Sequence, residues 1–258
     1  MKILVIPDIH GSKHWKDNFL KNINNVDKCV FLGDYINSFN ENEKGVRSLN
    51  NLRDIVDTTK QFEDKVDLLI GNHDLCHCNF NNGYNSHVSG FEHYTARSFS
   101  DIFKENKNRF KIAVKYNDWV FSHAGFSKTW SDWAYNTMAM HIPNLNIPKE
   151  PVELANWMWE NDDCRCLDFN EHCYSPYGDS MISSPLWIRP TSLSQDAFYN
   201  KQIVGHTEIR NEKPFSIEIE NGKIIVVDSP SHSKCYIFDT ESEIINWEFY
   251  ESKSCSKV

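Results

Sequence analysis

Three apolar runs in this chain end in the same way. Leu4-Val5-Ile6-Pro7 gives way to Asp8-Ile9-His10-Gly11, Cys29-Val30-Phe31-Leu32 to Gly33-Asp34-Tyr35, and Leu68-Leu69-Ile70 to Gly71-Asn72-His73-Asp74. Each run has the length of a buried strand, and each closes on side chains that can hold a metal. The segments between them carry helical spacing. Trp15, Phe19 and Ile23 recur at i, i+4, i+8 behind Ser12, a candidate cap. Val46, Leu49, Leu52, Val56 and Thr59 mark a second amphipathic helix. This β-α-β-α-β alternation predicts an α/β fold with parallel strands, whose carboxyl ends carry the functional groups.

Residues 76–93 have no period and are expected to form a loop over the site. A helix is expected near Phe99–Glu105, then strands over Phe110–Tyr116 and Trp119–Ser122 around an Asn117-Asp118 turn. The second of these ends in His123-Ala124-Gly125. Residues 127–190 are rich in tryptophan and hold a helix around Asn156–Glu160, begun near Pro151. They read as a cap or insertion within a single domain spanning residues 1–258. Strands return over Gln202–Val204, leading into Gly205-His206, then Ser216–Ile219, Lys223–Val227, Lys234–Asp239 and Glu243–Tyr250. Asn221-Gly222 is a hairpin signal.

Bulk properties narrow the function. The formal net charge is -9 over 258 residues, which argues against an extended nucleic-acid-binding surface. It does not exclude a phosphorylated substrate, because bound divalent ions make a site locally positive. No apolar run approaches a membrane span, and the chain opens on a strand rather than a signal segment. A cytoplasmic location, with no membrane partner, is the expectation. The eight cysteines are then read as thiols.

Taken together, the strand-end residues Asp8, His10, Asp34, Asn72, His73, Asp74, His123 and His206 suit a metal centre. An Asp-x-His pair in extended backbone points two side chains the same way. A carboxylate such as Asp34 can share two cations between its oxygens. The mixed oxygen and nitrogen set suits two divalent ions, manganese first, with iron or zinc as alternatives. Such a pair stabilises the attacking and leaving oxygens of an in-line displacement.

In order along the chain, Asp8-Ile9-His10-Gly11, Gly33-Asp34-Tyr35, Gly71-Asn72-His73-Asp74, Ser122-His123-Ala124-Gly125 and Gly205-His206-Thr207 resemble the motif set of calcineurin-like metallophosphoesterases. The Gly-Asp-Tyr and Gly-His-Thr forms resemble the phosphoprotein phosphatase branch. That branch includes phage-type Ser/Thr phosphatases and symmetrical diadenosine tetraphosphate hydrolases. The resemblance implies a sandwich of two mixed β-sheets flanked by helices, with the dimetal site at strand ends. It implies that Asp8 and His10 hold one ion, Asn72, His123 and His206 the other, and that Asp34 bridges them. It implies in-line attack by a bridging hydroxide, with His73 as general acid oriented by Asp74.

The chain departs from that pattern after Tyr35. The branch continues with Asp-Arg-Gly, whose arginine grips phosphate, whereas here Ile36-Asn37-Ser38-Phe39 follows. Leu186-Trp187-Ile188-Arg189-Pro190 resembles a segment of dinucleoside polyphosphate hydrolases, so Arg189 is the first candidate for a phosphate contact. Arg97 is the second, and Arg109 reads as a solvated charge. The expected activity is hydrolysis of phosphate monoesters, including phosphoserine or phosphothreonine in a protein. The alternative is a nucleotide polyphosphate, either a dinucleoside polyphosphate or an RNA 5′ end. A non-catalytic scaffold is the third reading. His77 is weighed as a lid or supporting residue. Cys164, Cys166, His172 and Cys173 are weighed as a zinc site, although their spacing lacks the usual Cys-x-x-Cys pair.

Overall fold

A computed structural model describes residues 1–78, 88–143, 145–168, 179–210, 213–229 and 231–248. Four strands, β1 (Lys2–Ile6), β2 (Lys28–Phe31), β3 (Val66–Leu69) and β4 (Phe110–Lys111), lie parallel in one sheet. It is extended by β10 (Cys235–Asp239) and β11 (Ile245–Glu248), giving the order β11-β10-β1-β2-β3-β4. β10 runs antiparallel to β1, so the sheet is mixed. The second sheet has the order β5-β6-β7-β9-β8, from β5 (Ala113–Tyr116), β6 (Trp119–Ser122), β7 (Lys201–Val204), β8 (Phe215–Ile219) and β9 (Gly222–Val226). It too mixes parallel and antiparallel pairs.

The apolar runs are continuous because each strand is buried on both faces. Ile3, Val5, Val30, Leu32 and Leu69 meet Trp119, Phe121, Ile203, Ile225 and Val227 between the sheets. The alternate residues Leu4, Ile6, Cys29, Phe31, Leu68 and Ile70 face the helices. These are α1 (His14–Asn22), α2 (Val46–Lys60) and α4 (Ala96–Glu105), with the short α3 (Asn72–Cys78) beside them. On the far face, Ile224, Val226 and Val204 pack with Leu193 of α7 (Pro190–Asp196). The period of two assigns each side chain to one layer.

Several boundaries differ from the expectation. Helix α1 starts after Lys13, and Ser12 reaches only the His14 amide, at 3.4 Å. The stretch expected as one strand over Phe110–Tyr116 divides at Ile112, with β4 in one sheet and β5 in the other. Asn156 makes this switch tolerable. Its Oδ1 accepts from the Ile112 and Ala113 amides at 2.8 and 3.2 Å, and its Nδ2 donates to the Ala113 carbonyl at 2.9 Å. Backbone groups that leave one ladder before joining the next need such a partner. In the hairpin, Ile219 already pairs with Gly222, so the loop is Glu220-Asn221, one residue earlier than read. Asn221 takes the left-handed conformation, φ 61.

Residues 127–190 contain α5 (Lys128–His141), which the sequence reading had no period for, and α6 (Pro151–Glu160). Trp130, Met138, Met158 and Trp159 of these helices enter the same apolar cluster as Trp15 and Phe19. His172 and Cys173 lie outside the described residues, and Cys164 and Cys166 are free thiols. Among the described residues, no helix is long and apolar enough to cross a membrane.

Candidate metal centre

The carboxyl ends of β1, β2 and β3 and of β6 and β7 converge on one cavity of about 470 Å³. Asp8, His10, Asp34, Asn72, His73, Trp187, Arg189 and His206 line it. Backbone shape brings them together. His10, Asp34 and His206 all sit in the left-handed region, with φ 43, 52 and 62. Each such residue costs about 1–3 kcal/mol and persists only where its surroundings hold it. Here the Ile9 and His10 amides both donate to the Asp34 carbonyl, at 3.0 and 2.7 Å. Two glycines permit the approach. A Cβ on Gly71 would lie 2.1 Å from Asp34 Oδ1, and one on Gly205 would lie 2.2 Å from Asp8 Oδ1.

The histidine tautomers are fixed by carbonyl partners. His10 Nδ1 donates to the Ile36 carbonyl at 3.1 Å, His123 Nδ1 to that of Leu32 at 2.9 Å, and His206 Nε2 to that of Trp187 at 3.1 Å. A carbonyl can only accept, so the other nitrogen of each neutral ring is a lone pair. Those lone pairs face other acceptors. His10 Nε2 and His123 Nε2 each lie 3.5 Å from Asp34 Oδ2. His123 Nε2 also lies 2.9 Å from Asn72 Oδ1 and 3.1 Å from His206 Nδ1. Acceptors crowded on acceptors, each ring oriented from behind by a carbonyl, make a set that could hold a metal.

Electrostatics agree. Burial pushes the Asp8 and Asp74 carboxyls up to about 7, and that of Asp34 well above the ordinary range. Burial also drives His123 and His73 down to about 3 and His10 and His206 well below normal. Neutral imidazoles and carboxylates that resist ionisation fit a place where a cation supplies the missing charge. Two ligand groups meet here: His10, Asp34 and His73, and Asp34, His123 and His206. Asp34 is common to both.

By distance alone His73 joins the first group, but its hydrogen bonds separate it. Asn37 Oδ1 accepts from the Glu92 amide at 3.3 Å and from His77 Nε2 at 2.9 Å. That fixes the amide, and its Nδ2 donates to His73 Nδ1 at 3.3 Å. The His73 proton is therefore on Nε2, as a donor needs and a ligand does not. The expectation that Asp74 orients His73 is corrected. Asp74 accepts instead from the amides of Asp34, Tyr35 and Gly71, at 2.7, 3.0 and 2.9 Å. At the third position of α3 its side chain reaches back to the residue before the helix, a capping arrangement. This is also why Asn72–Cys78 is helical where a loop was expected from residue 76. His77 is buried, stacked on Phe91 with ring centroids 4.1 Å apart.

Arg189 lines the cavity and is anchored through Nη1, which donates to the His206 carbonyl at 2.8 Å and to Thr207 Oγ1 at 3.1 Å. Arg97 is exposed on α4 and does not line the cavity. Arg109 caps the end of α2 through the Val56 carbonyl and Thr59. Sequence reasoning missed Asn37, Glu208, Asp228 and His232. Asp228 had a signal, since Ile224-Ile225-Val226-Val227-Asp228 repeats the apolar-run-then-carboxylate pattern.

Residues 1–207 match the family described as calcineurin-like phosphoesterase. A solved metallophosphoesterase from Sphaerobacter thermophilus is similar at 15% identity and a TM-score of 0.51, covering 97% of this chain and 89% of its own. A structure described as a "putative diadenosine tetraphosphatase" is similar at 12% identity and a TM-score of 0.51, covering 96% and 93%. At these identities both likenesses bear on the fold alone. No curated protein matches the chain.

Proposed function

The chain belongs to the calcineurin-like phosphoesterases, and we propose that within this family of phosphoric ester hydrolases it cleaves phosphate monoesters at a dimetal centre. The observation that carries the reading is the set of proton-free nitrogens and oxygens arranged around Asp34. Asp8 and His10 would hold one ion, Asn72, His123 and His206 the other, and Asp34 both. A mixed set of this kind suits manganese, iron or zinc. When bound, the ions supply charge to the phosphoryl oxygens and make water nucleophilic near neutral pH.

The protein's own groups do the rest. Asn37 holds His73 with its proton on Nε2, facing the cavity, where it can pass to the leaving oxygen. The backbone amides held by Asp74 keep the two strand ends in register, and with them Asp34 and Asn72. The Arg189 guanidinium can pair two phosphate oxygens.

Charge favours a monoester over a polyphosphate. Among the described residues lining the cavity, Arg189 is the one lysine or arginine, and Glu208 and Asp228 line it as well. A chain of phosphates would meet those carboxylates. Trp187 at the wall is the feature that supports a nucleotide, whose base could stack on it. Assays with manganese on an aryl phosphate, phosphoserine and phosphothreonine peptides, and diadenosine tetraphosphate separate the readings. Turnover of the monoesters is expected. Turnover of the dinucleotide alone would overturn the proposal.

A further inference from the structure

After Tyr35 three side chains take up separate tasks. Asn37 holds His73 and His77. Ser38 Oγ donates to Glu43 Oε2 and accepts from the Asn40 amide, each at 3.1 Å. Phe39 lines the cavity, and its side chain is 53% exposed. A single exposed apolar side chain on an outer surface needs no explanation. This one is packed in place beside the catalytic groups. Its ring centroid lies 5.0 Å from that of His10 and 6.1 Å from that of His73, and His10 and His73 are 4.9 Å apart. Gly90 lies beside it too, since a Cβ there would stand 3.7 Å from Phe39 Cε1. A held apolar ring, half open to a polar cavity, gains when another apolar group covers it.

We infer that Phe39 is the wall of a leaving-group subsite that selects aromatic alcohols, so that the preferred substrates are phosphate monoesters of tyrosyl or benzyl type. The inference rests on the phosphomonoesterase reading and adds the class of the leaving group. The leaving oxygen accepts the proton of His73 Nε2, and the Phe39 ring is the apolar neighbour of the His73 ring. The carbon attached to that oxygen therefore emerges next to Phe39. The phosphate is drawn elsewhere, to the metal ligands and to Arg189, whose guanidinium is tied to His206 and Thr207. An apolar ring offers nothing to a phosphate oxygen.

The chemistry of the wall selects the group. Two aromatic rings in offset or edge-to-face contact gain more than the area they cover. A ring attached one or two bonds from the ester oxygen is rigid, so little rotational freedom is lost on binding. A phosphoserine brings only one methylene to this position, with polar peptide groups directly behind it. A nucleoside 5′-ester brings the polar ribose there and carries its base farther out.

The test compares benzyl, cyclohexylmethyl and propyl phosphates on the manganese-loaded protein. All three are esters of primary alcohols that leave with similar ease, so differences in kcat/KM report binding of the leaving group. The wild type should favour benzyl over propyl phosphate by about tenfold or more, and benzyl over cyclohexylmethyl phosphate by about threefold. In Phe39→Ala the first ratio should fall to within about threefold of one. Phe39→Leu, apolar but without a ring, should keep part of the first preference and lose the second. Phe39→Tyr should keep both. Each ratio is taken within one protein, so a general loss of activity does not mimic the effect. Calorimetric titration with benzylphosphonate and propylphosphonate, which are not hydrolysed, should show the same preference and its loss in Phe39→Ala. A wild-type ratio near one, cyclohexylmethyl phosphate turned over as well as benzyl, or ratios unchanged in Phe39→Ala would each overturn the subsite and leave the monoesterase reading standing. No turnover of any of the three, with aryl phosphate and phosphopeptides also inert, overturns that reading and the subsite with it.

Discussion

His123 Nε2 faces Asp34 Oδ2 at 3.5 Å with its lone pair, because the other nitrogen of that ring is committed to the Leu32 carbonyl. The same carboxylate oxygen meets His10 Nε2 at the same distance. Asp34→Ala is therefore expected to weaken both ions together, by more than about 100-fold in affinity. Metal content measured by mass spectrometry after dialysis checks it, and a variant that keeps one ion fully would show that Asp34 serves a single site.

His73→Asn should lower kcat by about 10²–10⁴ while metal content stays near that of the wild type. Asn37→Leu removes the donor to His73 Nδ1 and the acceptor of His77. A fall of at least about tenfold in kcat, with KM little changed, is expected if the tautomer matters. Equal kcat values in Asn37→Leu and wild type would count against the positioning role.

Arg189→Met should raise the inhibition constant of inorganic phosphate by about tenfold, the loss of a charge-assisted pair. Arg189→Lys should recover only part of the affinity, since a lysine lacks the planar fork. Titration of the metal-loaded protein with phosphate decides between a phosphate contact and a purely structural tie to His206 and Thr207.

Metal removal should reverse the pH dependence of stability at the site. In the metal-free protein, burial raises Asp8 and Asp74 from 3.8 to about 7. These carboxyls bind more protons in the folded state than in the unfolded chain, so through them stability falls as pH rises. The buried histidines His73 and His123, lowered from 6.5 to about 3, act the other way below about 6.5, where the unfolded chain protonates them. The metal-free protein should thus melt at a higher temperature near pH 7 than near pH 8. Adding manganese at pH 8 should raise the melting temperature. A metal-free protein most stable at pH 8 would contradict the burial argument.

Asn156→Ala should destabilise the fold by about 2–3 kcal/mol, because it strands backbone groups where the chain passes from β4 to β5. Denaturant unfolding measures this. Metal affinity should change little, since the switch lies away from the cavity-lining residues.

Much of the fold could be read from runs such as Leu4–Asp8 and Val30–Asp34, because a strand buried on both faces leaves a continuous apolar signature. The candidate ligands at the strand ends were legible as a group for the same reason, since a polar residue directly after such a run lies at the sheet's edge. Other features depend on long-range contacts that no local pattern carries. The division at Ile112 depends on Asn156, which is distant in sequence. Asn37 lay in a polar stretch that resembled any loop, and its role appears only when His73, His77 and Glu92 surround it. His232 follows no apolar run and reaches the cavity through the turn after β9. The Asp74 assignment failed because adjacency to His73 in a helix directs the two side chains apart.

Electron paramagnetic resonance of the manganese-loaded protein tests most directly whether two ions share Asp34. Two manganese ions per chain and the signal of an exchange-coupled pair are expected. One ion per chain, or the spectrum of isolated manganese at full loading, would contradict it.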